Sequence, residues 1–336
     1  MRGRLNRANG RFAFLLAAAL LPLGAASAAA ADQPSALSPA LLDAIVRIET
    51  HIPADARTAA YLGTARAGSG VVIDSDGLIL TVGYLVTEAM GAQVTTRHGK
   101  PVLATVVGLD NESGLGLLRA TAPLGVKPLR LGRAAGVGEK TLALIASGDN
   151  VQAVTIVSRR SFAGSWEYLL DDAIFTAPAF DEWGGAALIG ADGRLLGIGS
   201  LLVPDARPGK APEAGNMFIP IDRLTPVLGD LLTIGRPGTA GHPWLGVNVA
   251  AVGDALLVIR VSAEGPAAKA GLGQGDRVIA VAGRRVRDLA DFYRKVWGLG
   301  SAGVTVPLTI EQAGARRDIK IPSIDRYRYL KLDTSY

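Results

Sequence analysis

The 336 residues hold three histidines, His51, His98 and His242, the residue type suited to proton transfer at neutral pH, and no cysteine. Imidazole base catalysis is therefore confined to three positions. His98 sits in the turn-like stretch TRHGK and His242 in the glycine- and proline-rich GRPGTAGHP, and both read as solvated surface groups. Thiol catalysis and cysteine-ligated zinc are excluded, and three scattered histidines build no transition-metal site. No Ser-x-x-Lys dyad and no Gly-x-Ser-x-Gly elbow occurs anywhere. Asp181 and Glu182 stand together beside Trp183 and could form an acidic pair; a solvated loop is the plainer reading. GLGSAG at residues 298–303 has Gly-x-Gly-x-x-Gly spacing but follows a helical stretch instead of a strand, so it is no nucleotide site. The expectation is no cofactor and no metal.

The elements around these residues are mostly strands. The composition, 49% hydrophobic with 42 glycines and 18 prolines, fits two or three packed domains rich in turns. The formal charge is +5, and Arg2, Arg4, Arg7 and Arg11 supply four of those charges within a segment that has no acid. The basic excess thus sits in the N-terminal leader, which argues against a nucleic-acid partner. Residues 1–31 read as a signal peptide: a positive start, the apolar run FAFLLAAALLPLGAA, and small residues with Ala26-Ser27-Ala28 as a small-x-small site. The apolar run is short and interrupted by proline, so an exported protein without a stable membrane span is expected.

From residue 65 to 232 short apolar runs alternate with Gly, Asp-Gly and Asn, as in GVVIDSDGLILTV, VLATVVGLD and VQAVTIVS. The segment LTVGYLV, with Tyr84 inside it, reads as the second arm of a hairpin after an Asp-Gly turn. VVIDSDGLIL and ALIGADGRLL echo each other, which points to two similar half-barrels unless any two Asp-Gly hairpins would match as well. The boundaries expected are 32–234 for an all-β domain, 235–242 for a Gly/Pro linker, 243–325 for a smaller α+β unit and 326–336 for a tail with no assigned structure.

In this order, GSGVVIDSDGLILT, ATVVGLDNESGLGLLR, GGAALIGADGRLLGIG, FIPID and the unit after the linker resemble HtrA/Deg-type serine proteases across residues 45–322. The resemblance implies a mainly β fold, a chymotrypsin-like double antiparallel β-barrel followed by a small α+β PDZ domain. It departs from the family wherever chemistry is done. The family's T-N-N-H-V-V corresponds to Thr81-Val82-Gly83-Tyr84-Leu85-Val86, which puts Tyr84 at the general-base position. Gly114 stands where the family has its aspartate, and Trp183 where G-N-S-G-G-P has the nucleophile. The stretch from Thr176 to Trp183 is also two residues short of the oxyanion loop. A phenol with a pKa of about 10 is protonated at neutral pH, indole only donates, and glycine offers no group at all. Loss of triad members in serine proteases costs on the order of 10⁴ to 10⁶ in kcat.

The PDZ resemblance keeps its binding features. PDZ domains add a peptide strand to a sheet edge and hold its terminal carboxylate on backbone N–H groups of an x-Φ-G-Φ turn. Trp244-Leu245-Gly246-Val247 fits that turn, and Leu289, Phe292 and Val296 share one helical face that could wall the side-chain pocket. The expectation is an exported, periplasmic pseudoprotease that binds peptide C-termini or unfolded segments as a chaperone, adaptor or regulatory subunit in envelope protein quality control. A homotrimer or association with an active paralogue follows by resemblance alone. The alternatives are an active serine endopeptidase using non-standard residues, and a purely structural subunit.

Overall fold

In the computed structural model residues 39–332 are described, apart from 100, 135–137, 139 and 210, so the leader and its cleavage point lie outside the described residues. A four-residue helix, α1 (Pro39–Leu42), leads into six antiparallel strands: β1 (Ile45–His51), β2 (Ala65–Val72), β3 (Leu78–Val82), β4 (Ala92–Thr96), β5 (Val102–Asp110) and β6 (Leu115–Ala120). They close in the order β1-β2-β3-β6-β5-β4. The short helices α2 (Ala59–Leu62) and α3 (Gly83–Val86) interrupt them. A second set, β7 (Leu142–Ser147), β8 (Asn150–Gly164), β9 (Tyr168–Ala177), β10 (Ala187–Gly190), β11 (Leu195–Val203) and β12 (Gly215–Pro220), closes as β10-β11-β12-β9-β8-β7. Both barrels have the same connectivity, because in each the first strand pairs with the second and the fourth. One apolar core runs through the pair.

The repeated Asp-Gly segments do not mark this symmetry. The first spans β2–β3, the second and third strands of its barrel, and the second spans β10–β11, the fourth and fifth of the other. What they share is local: the glycine of each Asp-Gly pair takes a positive φ, +76° at Gly77 and +71° at Gly193, and that turn makes two unrelated hairpins look alike.

LTVGYLV is not a continuous strand arm. The strand ends at Val82, and residues 83–86 form the helical turn α3. The carbonyls that would otherwise pair in a sheet are taken from the side: Arg66 Nη1 donates to Tyr84 O at 2.7 Å and Thr87 O at 3.0 Å, and Thr50 Oγ1 donates to Leu85 O at 2.7 Å. Arg66 is buried, and burial lowers its pKa.

After the 3-10 turn at Ile221–Arg223 and helix α4 (Leu228–Ile234), the chain enters a sheet of β13 (Val247–Val252), β14 (Ala255–Val261), β15 (Arg277–Val281), β17 (Thr305–Gln312) and β18 (Ala315–Pro322), with β16 (Arg284–Arg285) paired to β15. Helices α5 (Pro266–Lys269) and α6 (Leu289–Trp297) pack on it. Asp288 caps α6 through the Asp291 N–H at 2.7 Å. Of the residues left unassigned in sequence, Arg326–Tyr329 form a helical turn, α7, and Tyr327 reaches the first barrel, donating to Leu109 O at 2.7 Å and accepting from Asn111 N at 3.0 Å. Among the described residues no helix is long and apolar enough to cross a membrane.

The barrels meet at residues 181–185. Gly185 has φ +78° and lies so close to β2 that a Cβ would stand 1.8 Å from Ser69 O. Gly209 has a similar φ, +74°, with nothing within 4 Å. Both glycines carry the conformational penalty of a positive φ, but only Gly185 adds the overlap. Gly185→Ala should lose about 2 kcal/mol or more of stability in urea unfolding, and Gly209→Ala about 1 kcal/mol or less. Equal losses would show that the loop relaxes freely.

Candidate functional site

A cavity of about 440 Å³ lies where the barrels face the C-terminal sheet, with Tyr84, Gly114 and Trp183 in its lining. Tyr84 projects from α3 and donates from its hydroxyl to Ser200 O on β11 at 3.2 Å, so the phenol bridges the barrels. Burial raises its pKa further, which keeps it protonated. Gly114 has φ +80°, and a Cβ there would meet the Tyr168 ring at 3.3 Å and Ile219 Cδ1 at 3.4 Å. Tyr168 thus occupies the space beside position 114, with its hydroxyl donating to Ser113 O at 2.7 Å. Trp183 is half-buried. Its carbonyl accepts the N–H of Ala186 at 3.1 Å, and Gly185 N donates to Gly199 O at 2.9 Å. Those two N–H groups are engaged within the second barrel.

No histidine lines this cavity. His98 is exposed, 3.7 Å from Asp43. His242 is exposed, as expected of it, and it also stacks on Trp297 at 4.3 Å between ring centroids and lies 3.1 Å from Glu112 Oε1. Glu182 is also tied down, accepting from Ser147 Oγ at 3.0 Å and Asn150 Nδ2 at 2.6 Å. Asp181 is exposed beside it. Among the described residues no cluster of His, Asp and Glu is arranged to hold a metal ion.

The turn at residues 244–247 lies at the start of β13. Trp244 pairs with Ile324 through N–H···O bonds of 3.0 and 3.1 Å, and its ring packs on Tyr329 at 4.5 Å. Gly246 has φ +80°, with a Cβ position 3.1 Å from the Trp244 ring. This conformation turns three successive N–H groups onto one point, and a carboxylate is there. Leu245 N donates to Glu167 Oε2 at 2.8 Å, while Gly246 N and Val247 N donate to Glu167 Oε1 at 2.7 and 2.9 Å. Glu167 comes from the turn between β8 and β9 and is itself buried, with φ +57°. Burial pushes its pKa up to about 7, against the three N–H bonds that pull it down.

The rest of that turn lies along the same edge. Ser165 O accepts from Val249 N of β13 at 2.9 Å. Tyr293 of α6 donates to Gly164 O at 2.8 Å and accepts from Glu167 N at 3.1 Å. Phe292 and Val296 are fully buried in the C-terminal core, Leu289 partly, and Ala163 and Leu169 of the β8–β9 hairpin pack against the same core. Sequence reasoning missed Glu167. The one signal was an unexplained acid among aromatics in SWEY, residues 165–168.

Residues 68–198 match the family model described as a trypsin-like peptidase domain, and residues 243–322 match the one described as a PDZ domain. Serine protease Do-like HtrA of Lactobacillus helveticus is 24% identical over 291 residues, which is 77% of this chain and 69% of that protein. Serine protease PepD of Mycobacterium tuberculosis is 28% identical over 282 residues, 76% of this chain and 60% of its own. Serine endoprotease DegS of Escherichia coli K12 is 28% identical over 228 residues, 64% of each. Among solved structures, a variant of the HtrA-type protease AlgW with a tripeptide superposes with a TM-score of 0.52 at 22% identity, over 84% of this chain and 94% of that one, a likeness of fold. With a trypsin-like peptidase domain followed by a PDZ domain, the chain is similar to HtrA-type serine proteases over 64 to 77% of its length.

Proposed function

We propose that this chain is a non-proteolytic HtrA-type protein that works by binding peptide C-termini or unfolded segments at its PDZ domain, in an exported compartment and in envelope protein quality control. The observation that carries the reading is the combined state of three positions: a half-buried tyrosine at 84, a glycine of positive φ at 114 and a tryptophan at 183, around a cavity with no histidine in its lining. Peptide-bond hydrolysis by this family's chemistry needs a hydroxyl nucleophile, an imidazole to take its proton and a carboxylate to orient the imidazole. None of the three replacements fills its role.

Support for peptide binding is the turn at 244–247, whose three N–H groups converge on a carboxylate, beside the edge strand β13. The related protease AlgW has been solved with a tripeptide and with a decapeptide. Carboxylate capture on such a turn needs only backbone donors and a free edge.

The mature protein should leave casein intact over a time course in which an HtrA-type protease degrades it, and a fluorophosphonate probe should label no serine. Casein cleavage together with labelling of one serine would establish the active-protease alternative. Restoring the family residues with Tyr84→His, Gly114→Asp and Trp183→Ser should still give no measurable turnover. An aspartate at 114 would be strained at φ +80° and its Cβ would press on the Tyr168 ring at 3.3 Å, which opposes the arrangement a triad requires. Turnover in the triple variant above the casein assay background would refute that steric argument.

A further inference from the structure

The peptide-binding turn is satisfied from within the chain. Its three convergent N–H groups are matched to two carboxylate oxygens at 2.7 to 2.9 Å, all supplied by Glu167. The edge strand is engaged as well, through Ser165 O and Val249 N at 2.9 Å. Apolar side chains of the same hairpin, Ala163 and Leu169, cover the core beside α6. Tyr293 locks both sides of the hairpin turn with one donated and one accepted bond. Arg294 of α6 extends the contact by pairing with Asp171 and donating to Ser161 Oγ. Carboxylate, strand and apolar contacts are the three kinds of contact a bound peptide makes with a PDZ domain, and all three come here from the β8–β9 hairpin.

We propose that the β8–β9 hairpin is an intramolecular ligand of the PDZ domain, that Glu167 stands in for a peptide's terminal carboxylate, and that an external peptide binds only when this hairpin is displaced. The inference rests on reading the turn at 244–247 as the peptide site. A tethered ligand competes at an effective concentration near millimolar, so it suppresses weaker external binding without adding any contact. It also selects for partners, since a competing segment must bring a free carboxylate together with an extended stretch able to pair with β13.

The test uses the full mature chain. Its lack of cysteines makes any introduced pair unique. Fluorescein-labelled decapeptides ending in Val, Leu, Phe or Ala, each with a free C-terminal carboxylate or as the C-terminal amide, are titrated by fluorescence polarisation against wild type, Glu167→Ala, and a Ser165→Cys/Asn248→Cys variant with and without a short bismaleimide link. Amide exchange at residues 245–249 is followed in parallel. Glu167→Ala should bind at least one free-carboxylate peptide tenfold or more tighter than wild type, with amides unaffected, and should exchange faster at 245–247. The linked double variant should bind none of the peptides that its own unlinked form binds. Equal affinity in wild type and Glu167→Ala, or binding by the linked form, overturns the proposal. Faster exchange in Glu167→Ala with no peptide bound by any form leaves the hairpin contact standing and refutes peptide capture. Unchanged exchange at 245–247 refutes the hairpin contact itself.

Discussion

The buried carboxylate of Glu167 organises the way these domains meet. A carboxylate taken from water without partners is costly, and here both oxygens are matched by backbone donors of the 244–247 turn. The bonds cross from the second barrel to the PDZ domain, so each domain satisfies a polar need of the other: the turn has unpaired N–H groups, and the hairpin has an acid it cannot leave dry. The Tyr293 hydroxyl repeats the pattern on the other side, giving and receiving one bond with the same hairpin. Chemically specific bonds of this kind fix orientation more than they add stability.

Linked polar contacts also run between the barrels. Tyr84 donates across to Ser200 O, Tyr168 fills the room beside Gly114, and the carbonyls of α3 are held by Arg66. Arg66 in turn donates to Thr58 Oγ1 at 2.8 Å, and Thr58 donates to Glu88 Oε2 at 2.6 Å. Buried polar groups that are linked to this degree specify one arrangement strongly. Tyr84 and Gly114 therefore sit within a linked interior, and changing either alone would disturb the neighbours packed against it.

The double barrel and the PDZ unit were legible because short apolar runs and Asp-Gly turns repeat at strand spacing, and because the x-Φ-G-Φ turn has a fixed local sequence. The substituted positions were legible only against a family pattern; Tyr84, Gly114 and Trp183 have nothing unusual about them in isolation. Three features stayed hidden for physical reasons. The helical turn at residues 83–86 depends on Arg66 and Thr50, distant in sequence and unremarkable in type. The Asp-Gly echo reported a shared turn chemistry and not the barrel symmetry. Glu167 lies 78 to 80 residues from its partners, and no local pattern encodes a contact between a hairpin tip and another domain's loop.

The C-terminal segment changes the mechanics of the whole arrangement. A PDZ domain joined by one linker can swing about it as a hinge. Here the chain leaves β18, crosses back, and fastens to the first barrel through Tyr327 and through Lys331 N–H, which donates to Glu88 Oε1 at 2.7 Å. The linker and this return segment define an axis, and the contacts of the β8–β9 hairpin through Glu167, Ser165 and Tyr293 oppose rotation about it. Reorientation of the PDZ domain thus has to begin with release of the hairpin or of the return segment.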